Sequence, residues 1–123
     1  MRPDLGLLCE RRIGQPVVAA ATLKVQSDRR STKLALAMTA AHLWWLELKT
    51  WPRPRVGRVL GWRPLEGLAA HTERRRGGRY VLELSWPLDG ELYTGELEAG
   101  SDADRLVGQL TAEAFARSTS ARD

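Results

Sequence analysis

The sequence predicts an α+β domain that is mainly β, with a short helix before the strands and a longer one after them. Three observations carry this. Seven short segments between Val17 and Glu98 either alternate apolar and polar residues with the period of two that strands require or are closely bounded by glycine and proline. Apolar spacings of three and four residues appear at the two ends of the chain. Finally, 123 residues that are 43% hydrophobic and 28% charged have the size and composition of one globular domain, not of a disordered or disulfide-stapled chain.

The elements follow in order. Leu5, Leu8, Cys9 and Arg12 share a helical face, Pro3 suits a first turn, and Gly14 with Pro16 ends the helix. Val17 to Gln26 (VVAAATLKVQ) puts Val17, Ala19, Ala21, Leu23 and Val25 on one strand face, and the polar stretch SDRRST reads as the hairpin loop. Leu34 to Thr39 resumes the alternation with Leu34, Leu36 and Met38 inward, Ala40 to His42 turns, and Leu43 to Lys49 forms the next strand. Two prolines, which lack backbone donors, make Thr50 to Val56 a loop. Arg58 to Trp62 and Leu68 to Arg75 are strands around the turn Pro64 to Gly67, and Gly77-Gly78 signals a hairpin. Arg79 to Trp86 places Tyr80, Leu82, Leu84 and Trp86 on one face, Pro87 to Gly90 turns, and Glu91 to Glu98 is the last strand. Ser101 reads as a helix N-cap, followed by Ala103, Leu106, Val107, Leu110 and Ala114 along one face to about Arg117. The organisation is thus a helical segment over 1–15, a domain over 16–118 and a disordered tail over 119–123.

Five tryptophans must be placed. Trp44 and Trp45 are adjacent on a strand, so one points into the core and the other outward, where Leu5, Leu8 and Cys9 of the first helix can cover it. Trp62 and Trp86 read as core or rim residues.

The order of elements, with LALAMTAAHLWWLEL (34–48) as strand, turn and aromatic strand and VLGWRPLEGLAAHTE (59–73) as strand, Pro-Leu-acidic turn and strand, resembles bacterial pleckstrin-homology-like (PH-like) and GRAM-like domains. The resemblance spans about Pro16 to Arg117. It implies a seven-stranded bent barrel of two near-orthogonal antiparallel sheets capped by the C-terminal helix. It also implies that the first hairpin loop and the loop before the fourth strand lie side by side at the open end of the barrel.

The chemistry points to binding rather than catalysis. No serine, cysteine or carboxylate pair stands at a spacing that marks a triad or an acid–base pair with His42 or His71, and there is no phosphate-binding glycine loop. One cysteine and two histidines make no zinc cluster, so no metal or cofactor is implied. Cys9, on an apolar helical face, reads as a small buried residue. No apolar run approaches the roughly 20 residues of a membrane span, and Met1 to Cys9 lacks a secretory signal, so the reading is cytoplasmic, with a peripheral place at the inner membrane face as a variant.

Charge is unevenly spread: residues 1–79 hold 16 Lys and Arg against 6 Asp and Glu, and residues 80–123 hold 3 against 9. Either a basic surface meets an anionic partner or the two halves neutralise each other across the fold. The candidate site is a basic rim of Arg29, Arg30 and Lys33 in the first hairpin with Trp51, Arg53, Arg55 and Arg58 in the loop before the fourth strand. Guanidinium groups suit anionic headgroups, and an exposed Trp51 suits a membrane interface. The plainer reading is that these are solvated arginines of an arginine-rich chain. Three functions follow in order of preference. The first is a protein-binding adaptor using an exposed strand edge or the groove beside the closing helix, as in related PTB domains. The second is peripheral attachment to anionic lipid through the basic rim. The third is nucleic-acid binding, which no recognised motif supports and which the acidic Glu91, Glu96 and Glu98 oppose. No small-molecule substrate is implied.

Overall fold

The structure, a computed structural model, describes residues 4–27 and 29–120, and of residues 27 and 115–120 the backbone alone. The elements are α1 (Leu5–Ile13), β1 (Ala19–Ser27), β2 (Arg30–Met38), β3 (His42–Lys49), β4 (Arg55–Pro64), β5 (Ala69–Arg74), β6 (Tyr80–Trp86), β7 (Glu91–Leu97) and α2 (Ser101–Ser120). The strands form one antiparallel sheet in the order β4-β3-β2-β1-β7-β6-β5. The two expected halves are joined because β1 belongs to both. It pairs with β2 from Ala19↔Met38 to Ser27↔Arg30, but with β7 only at Leu23↔Leu97 and Lys24↔Glu96.

This short contact is where the sheet bends, and Gly95 permits it. A Cβ at Gly95 would lie 2.6 Å from Leu23 Cδ1 and 3.2 Å from the Lys24 carbonyl, inside normal packing distance. Toward its start, β7 leaves β1 and passes over β3 and β4. The Tyr93 ring stands 5.0 Å from that of Trp45, and Glu91 forms an ion pair with Arg63.

The bent sheet encloses Leu23, Leu36, Met38, Leu43, Trp45, Leu82, Leu84, Trp86 and Leu97, with Leu65 and Leu68 from the β4–β5 turn. One end of this core is closed by α2, whose Ala103, Leu106 and Leu110 are fully buried and whose contacts fall on β1 and β5. The helix starts at Ser101 itself: the Asp104 N–H donates to the Gly100 carbonyl at 3.1 Å, so the cap lies one residue before the serine that the sequence singles out. Asp102 and Asp104 occupy the first turn, where the helix dipole favours acids. Tyr80 Oη donates to Asp104 at 2.7 Å, fastening α2 to β6 and raising the phenol above its ordinary pKa.

The outer face of the sheet carries a second core. Small residues Ala20, Ala35 and Ala37 let α1 approach closely, and Cys9 is buried against them and Leu46. Asp4 caps α1 by accepting from the Gly6 N–H at 2.9 Å, and Gly14 closes it in the left-handed region at φ 81°. Glu10 then accepts from the Val17 N–H at 3.0 Å, and Arg12 Nε donates to the Gly57 carbonyl at 2.8 Å. Trp45 faces the main core and Trp44 the α1 side, as their adjacency on a strand requires.

The strands differ from the sequence reading in three places. SDRRST is not a loop throughout, because β2 begins at Arg30 and its polar residues pair with β1 up to the tip of the hairpin. The fourth strand begins at Arg55 rather than Arg58, since Lys49↔Arg55 and Leu48↔Val56 pair once Pro52 and Pro54 have been passed. Val17 precedes β1 and packs on the α1 side, not with Ala19 and Ala21. The α2 backbone continues to Ser120, past the expected end near Arg117, whereas Pro3 and residues 121–123 lie outside the described residues.

Candidate functional site

The end of the core away from α2 is open. A cavity of about 440 Å³ lies there, floored by Leu23, Val25, Leu34 and Trp45 and walled by Leu60 to Arg63 of β4 and by Tyr93 and Thr94 of β7. Large apolar side chains of this lining reach solvent: Leu60 is 47% exposed and Trp62 55%, with Tyr93 also exposed, whereas the exposed Val59 and Leu92 lie on the other face of their strands. The local cause is a bulge. Trp45 pairs with Gly61 but Leu46 pairs with Val59, so Leu60 is the extra residue and leaves the alternation that would bury it. Gly61 removes a side chain from the wall at the same point.

Aromatic rings brace both sides of this wall. Inside, Trp86 stands 6.1 Å from Trp45 and 5.8 Å from Tyr93, and its Nε1 donates to the Pro64 carbonyl at 2.7 Å. Outside, His42 meets Trp62 edge-on at 5.1 Å and Trp44 at 5.9 Å. Trp44 Nε1 donates to Thr39 Oγ1 at 3.0 Å, and Thr39 is fully buried in the β2–β3 turn. Trp86 is thus a core residue, whereas Trp62 lies on the surface of the rim.

The basic residues are brought together in part. Because β1 to β4 are antiparallel neighbours, the β1–β2 and β3–β4 hairpins share one end of the sheet. Arg29, Arg30, Arg53, Arg55 and Arg58 are exposed there and form no ion pair among the described residues. Trp51, at 84% exposure, stands in the β3–β4 hairpin between them. Two corrections apply. Arg55 and Arg58 belong to β4, not to a loop. Lys33 lies within β2 with Nζ 2.6 Å from Glu98, so its charge is already matched. Arg74, Arg75, Arg76 and Arg79 gather at the β5–β6 hairpin, where Arg79 pairs with Glu96 at 2.8 Å and Arg75 with Glu73 at 3.3 Å.

These pairs resolve the uneven charge. Lys33–Glu98, Arg63–Glu91 and Arg79–Glu96 each join the basic front of the chain to its acidic end. The carboxylates Glu91, Glu96 and Glu98, read from sequence as repelling an anion, are therefore held by cations, while the arginines of the β1–β2 and β3–β4 hairpins form no ion pair among the described residues. The apolar wall was missed in sequence. Its signal is Val59-Leu60 and Leu92-Tyr93, adjacent apolar pairs on strands, of which one member must face outward.

Catalytic or metal groupings do not assemble among the described residues. His42 Nδ1 is buried without a hydrogen-bond partner, His71 is exposed on β5, and no three His, Cys, Asp or Glu side chains are placed to hold a metal. Cys9 has its thiol pushed up from 9.0 to about 12 by burial and, secondarily, by the Asp4 carboxylate. No helix among the described residues is long and apolar enough to cross a membrane.

No family model matches the sequence, and no curated protein does. Solved structures do match in shape. The DH/PH domains of PDZ-RhoGEF, in complex with GTPγS-activated RhoA, superpose with a TM-score of 0.53 at 13% identity, over 93% of this chain and 37% of that one. The DH/PH domains of p115-RhoGEF give 0.49 at 16% identity, over 82% and 31%. This chain spans about a third of the length of those chains, and at such identities the likeness concerns architecture alone. Seven antiparallel strands in one bent sheet, a C-terminal helix plugging one end and a short N-terminal helix are a PH-like fold.

Proposed function

We propose that the chain is a non-enzymatic PH-like binding module that recognises a protein partner at the open end of its sheet. The observation that carries this reading is the set of exposed apolar side chains, Leu60, Trp62 and Tyr93, gathered around one cavity. Monomeric proteins rarely leave such patches uncovered, and protein contacts favour aromatic anchors beside concave surfaces. The groove beside the closing helix is a weaker candidate, since the cleft between α1, β1 and α2 is small and bears Asp4, Glu10, Asp102 and Arg105.

The reading is tested by placing a photo-reactive residue at position 60 or 62 of the full chain, with position 71 on β5 as the control, and crosslinking in the source cells. A defined protein joined from 60 and 62 but not from 71 is the expected result. Identical products from all three positions would sink it. A second reading, attachment to anionic lipid from a cytoplasmic location, is favoured by Trp51 standing exposed among arginines without ion-pair partners. Flotation with acidic vesicles that is lost in Arg29→Glu/Arg53→Glu would support it.

A further inference from the structure

We infer that the partner segment is an extended, acidic and apolar stretch of chain that adds itself as a strand along the free edge of β4. This rests on the protein-binding reading above and specifies the chemistry of what is bound. β4 ends the sheet: it pairs with β3 on one side, and among the described residues no strand pairs with its other side. Near its start the outer edge is engaged by Arg12 at the Gly57 carbonyl, and near its end Arg63 holds Glu91. Between them, Arg58 to Trp62 runs beside the open cavity, paired to β3 on its inner side and to no strand on its outer side among the described residues.

Natural sheets blunt an exposed edge with charge, proline or a bulge. This edge has the charges, Arg55 and Arg58, a bulge at Leu60 and Pro64 at its end. It also displays Val59, Leu60 and Trp62 to solvent, the opposite of what a merely protected edge needs. An added strand would satisfy the backbone groups of β4, and its side chains, alternating from face to face, would place every second one over the cavity between β4 and Tyr93. A volume of about 440 Å³ admits a large apolar or aromatic side chain as an anchor.

Charge selects the occupant. From Trp51 to Leu65 the chain carries Arg53, Arg55, Arg58 and Arg63 and no acidic residue. A second copy pairing edge to edge would bring two such strands together, which like charge opposes. The carboxylates Glu91 and Glu96 of β7 and Glu98 just after it are already taken by Arg63, Arg79 and Lys33, and Glu47, which lies against Gly57, has Lys49 at 3.9 Å, so they leave the edge positive. Carboxylates on the incoming segment would face Arg58 while its apolar residues fill the mouth.

The test uses the full chain and three fluorescent peptides of about seven residues, long enough to run beside Arg58 to Arg63 at about 3.3 Å per residue. The first alternates glutamate with leucine and valine, the second replaces each glutamate by lysine, and the third is the acidic peptide with alternate amides N-methylated so that one edge cannot donate. Anisotropy titrations should show the acidic peptide binding about tenfold or more tightly than either of the others, and less tightly as salt rises. Arg58→Glu should reverse the preference between acidic and lysine peptides. Hydrogen exchange should show protection of amides from Arg58 to Arg63 with the acidic peptide alone.

Equal binding of the lysine peptide, unaltered binding of the methylated one, or no saturable binding at all would overturn the proposal. So would a concentration-dependent dimer of the free chain protected at the same amides, because the occupant would then be a second copy. Crosslinks from positions 60 and 62 that persist when the peptides fail leave the binding module standing and remove only the acidic strand. Loss of both removes the two readings together.

Discussion

The two ends of the bent sheet solve one problem differently. At one, the aliphatic residues of the core meet Ala103, Leu106 and Leu110 of α2 and are dry. At the other, Leu23 and Trp45 floor a cavity whose walls, Leu60, Trp62 and Tyr93, remain half in water. A strongly curved sheet of short strands cannot close both ends with its own side chains, and one amphipathic helix covers only one of them. The covered end therefore holds the fold together, and the uncovered end is where apolar area stays available for a partner. Burying such area yields about 25 cal/mol per Å² wherever it occurs, so the closed end contributes to folding and the open one to association.

Substitutions can break or sharpen this contrast. Leu110→Asp puts a carboxylate where no water reaches, and a loss of about 4 kcal/mol or more is expected, enough to unfold a domain of ordinary stability. A thermal midpoint unchanged within error would show that α2 does not plug the core. Ionising Cys9 introduces a buried charge without any substitution. Because its folded value of about 12 exceeds the ordinary 9.0, the stabilisation it confers is complete below pH 9 and disappears as pH rises toward 12. Melting followed from pH 8 to 11 should show the decline, and Cys9→Ala should flatten it. A thiol that reacts with Ellman's reagent at pH 8 in the native protein would contradict the burial.

Gly95→Ala strikes the bend that separates the two ends. Its new methyl meets the buried Leu23, and a cost of about 1–3 kcal/mol in chemical denaturation is expected. Lys33→Ala removes one exposed ion pair between the halves of the chain, and its effect should stay below about 1 kcal/mol and shrink in high salt. At the open end Leu60→Asp should leave stability within about 0.5 kcal/mol while abolishing the crosslink from position 62. Unfolding by Leu60→Asp would mean that the wall belongs to the core.

The sequence was informative wherever a pattern is local. Alternation in Tyr80 to Trp86, the terminating Gly14 of α1, and the helical face through Leu106 and Leu110 were legible because each depends on neighbours within a few residues, whereas the capping Asp4 was not singled out. The strand over Arg30 to Lys33 was not, because its residues are polar and only pairing with Lys24 to Ser27 makes them a strand. The basic rim was visible as a run of arginines. That Lys33 is matched by Glu98, and Arg63 by Glu91, was not, since both pairs join segments far apart in the chain.

By itself the sequence determined the order of the elements, the apolar side of strands such as β6 and the helix that closes the core, because burial periodicity and turn chemistry are written in consecutive residues. Only the tertiary structure decided which cations stay unmatched and where apolar surface remains exposed. Both depend on the bend at Gly95, which carries β7 across the sheet to Trp45 and Arg63 and leaves the outer edge of β4 with no strand beside it.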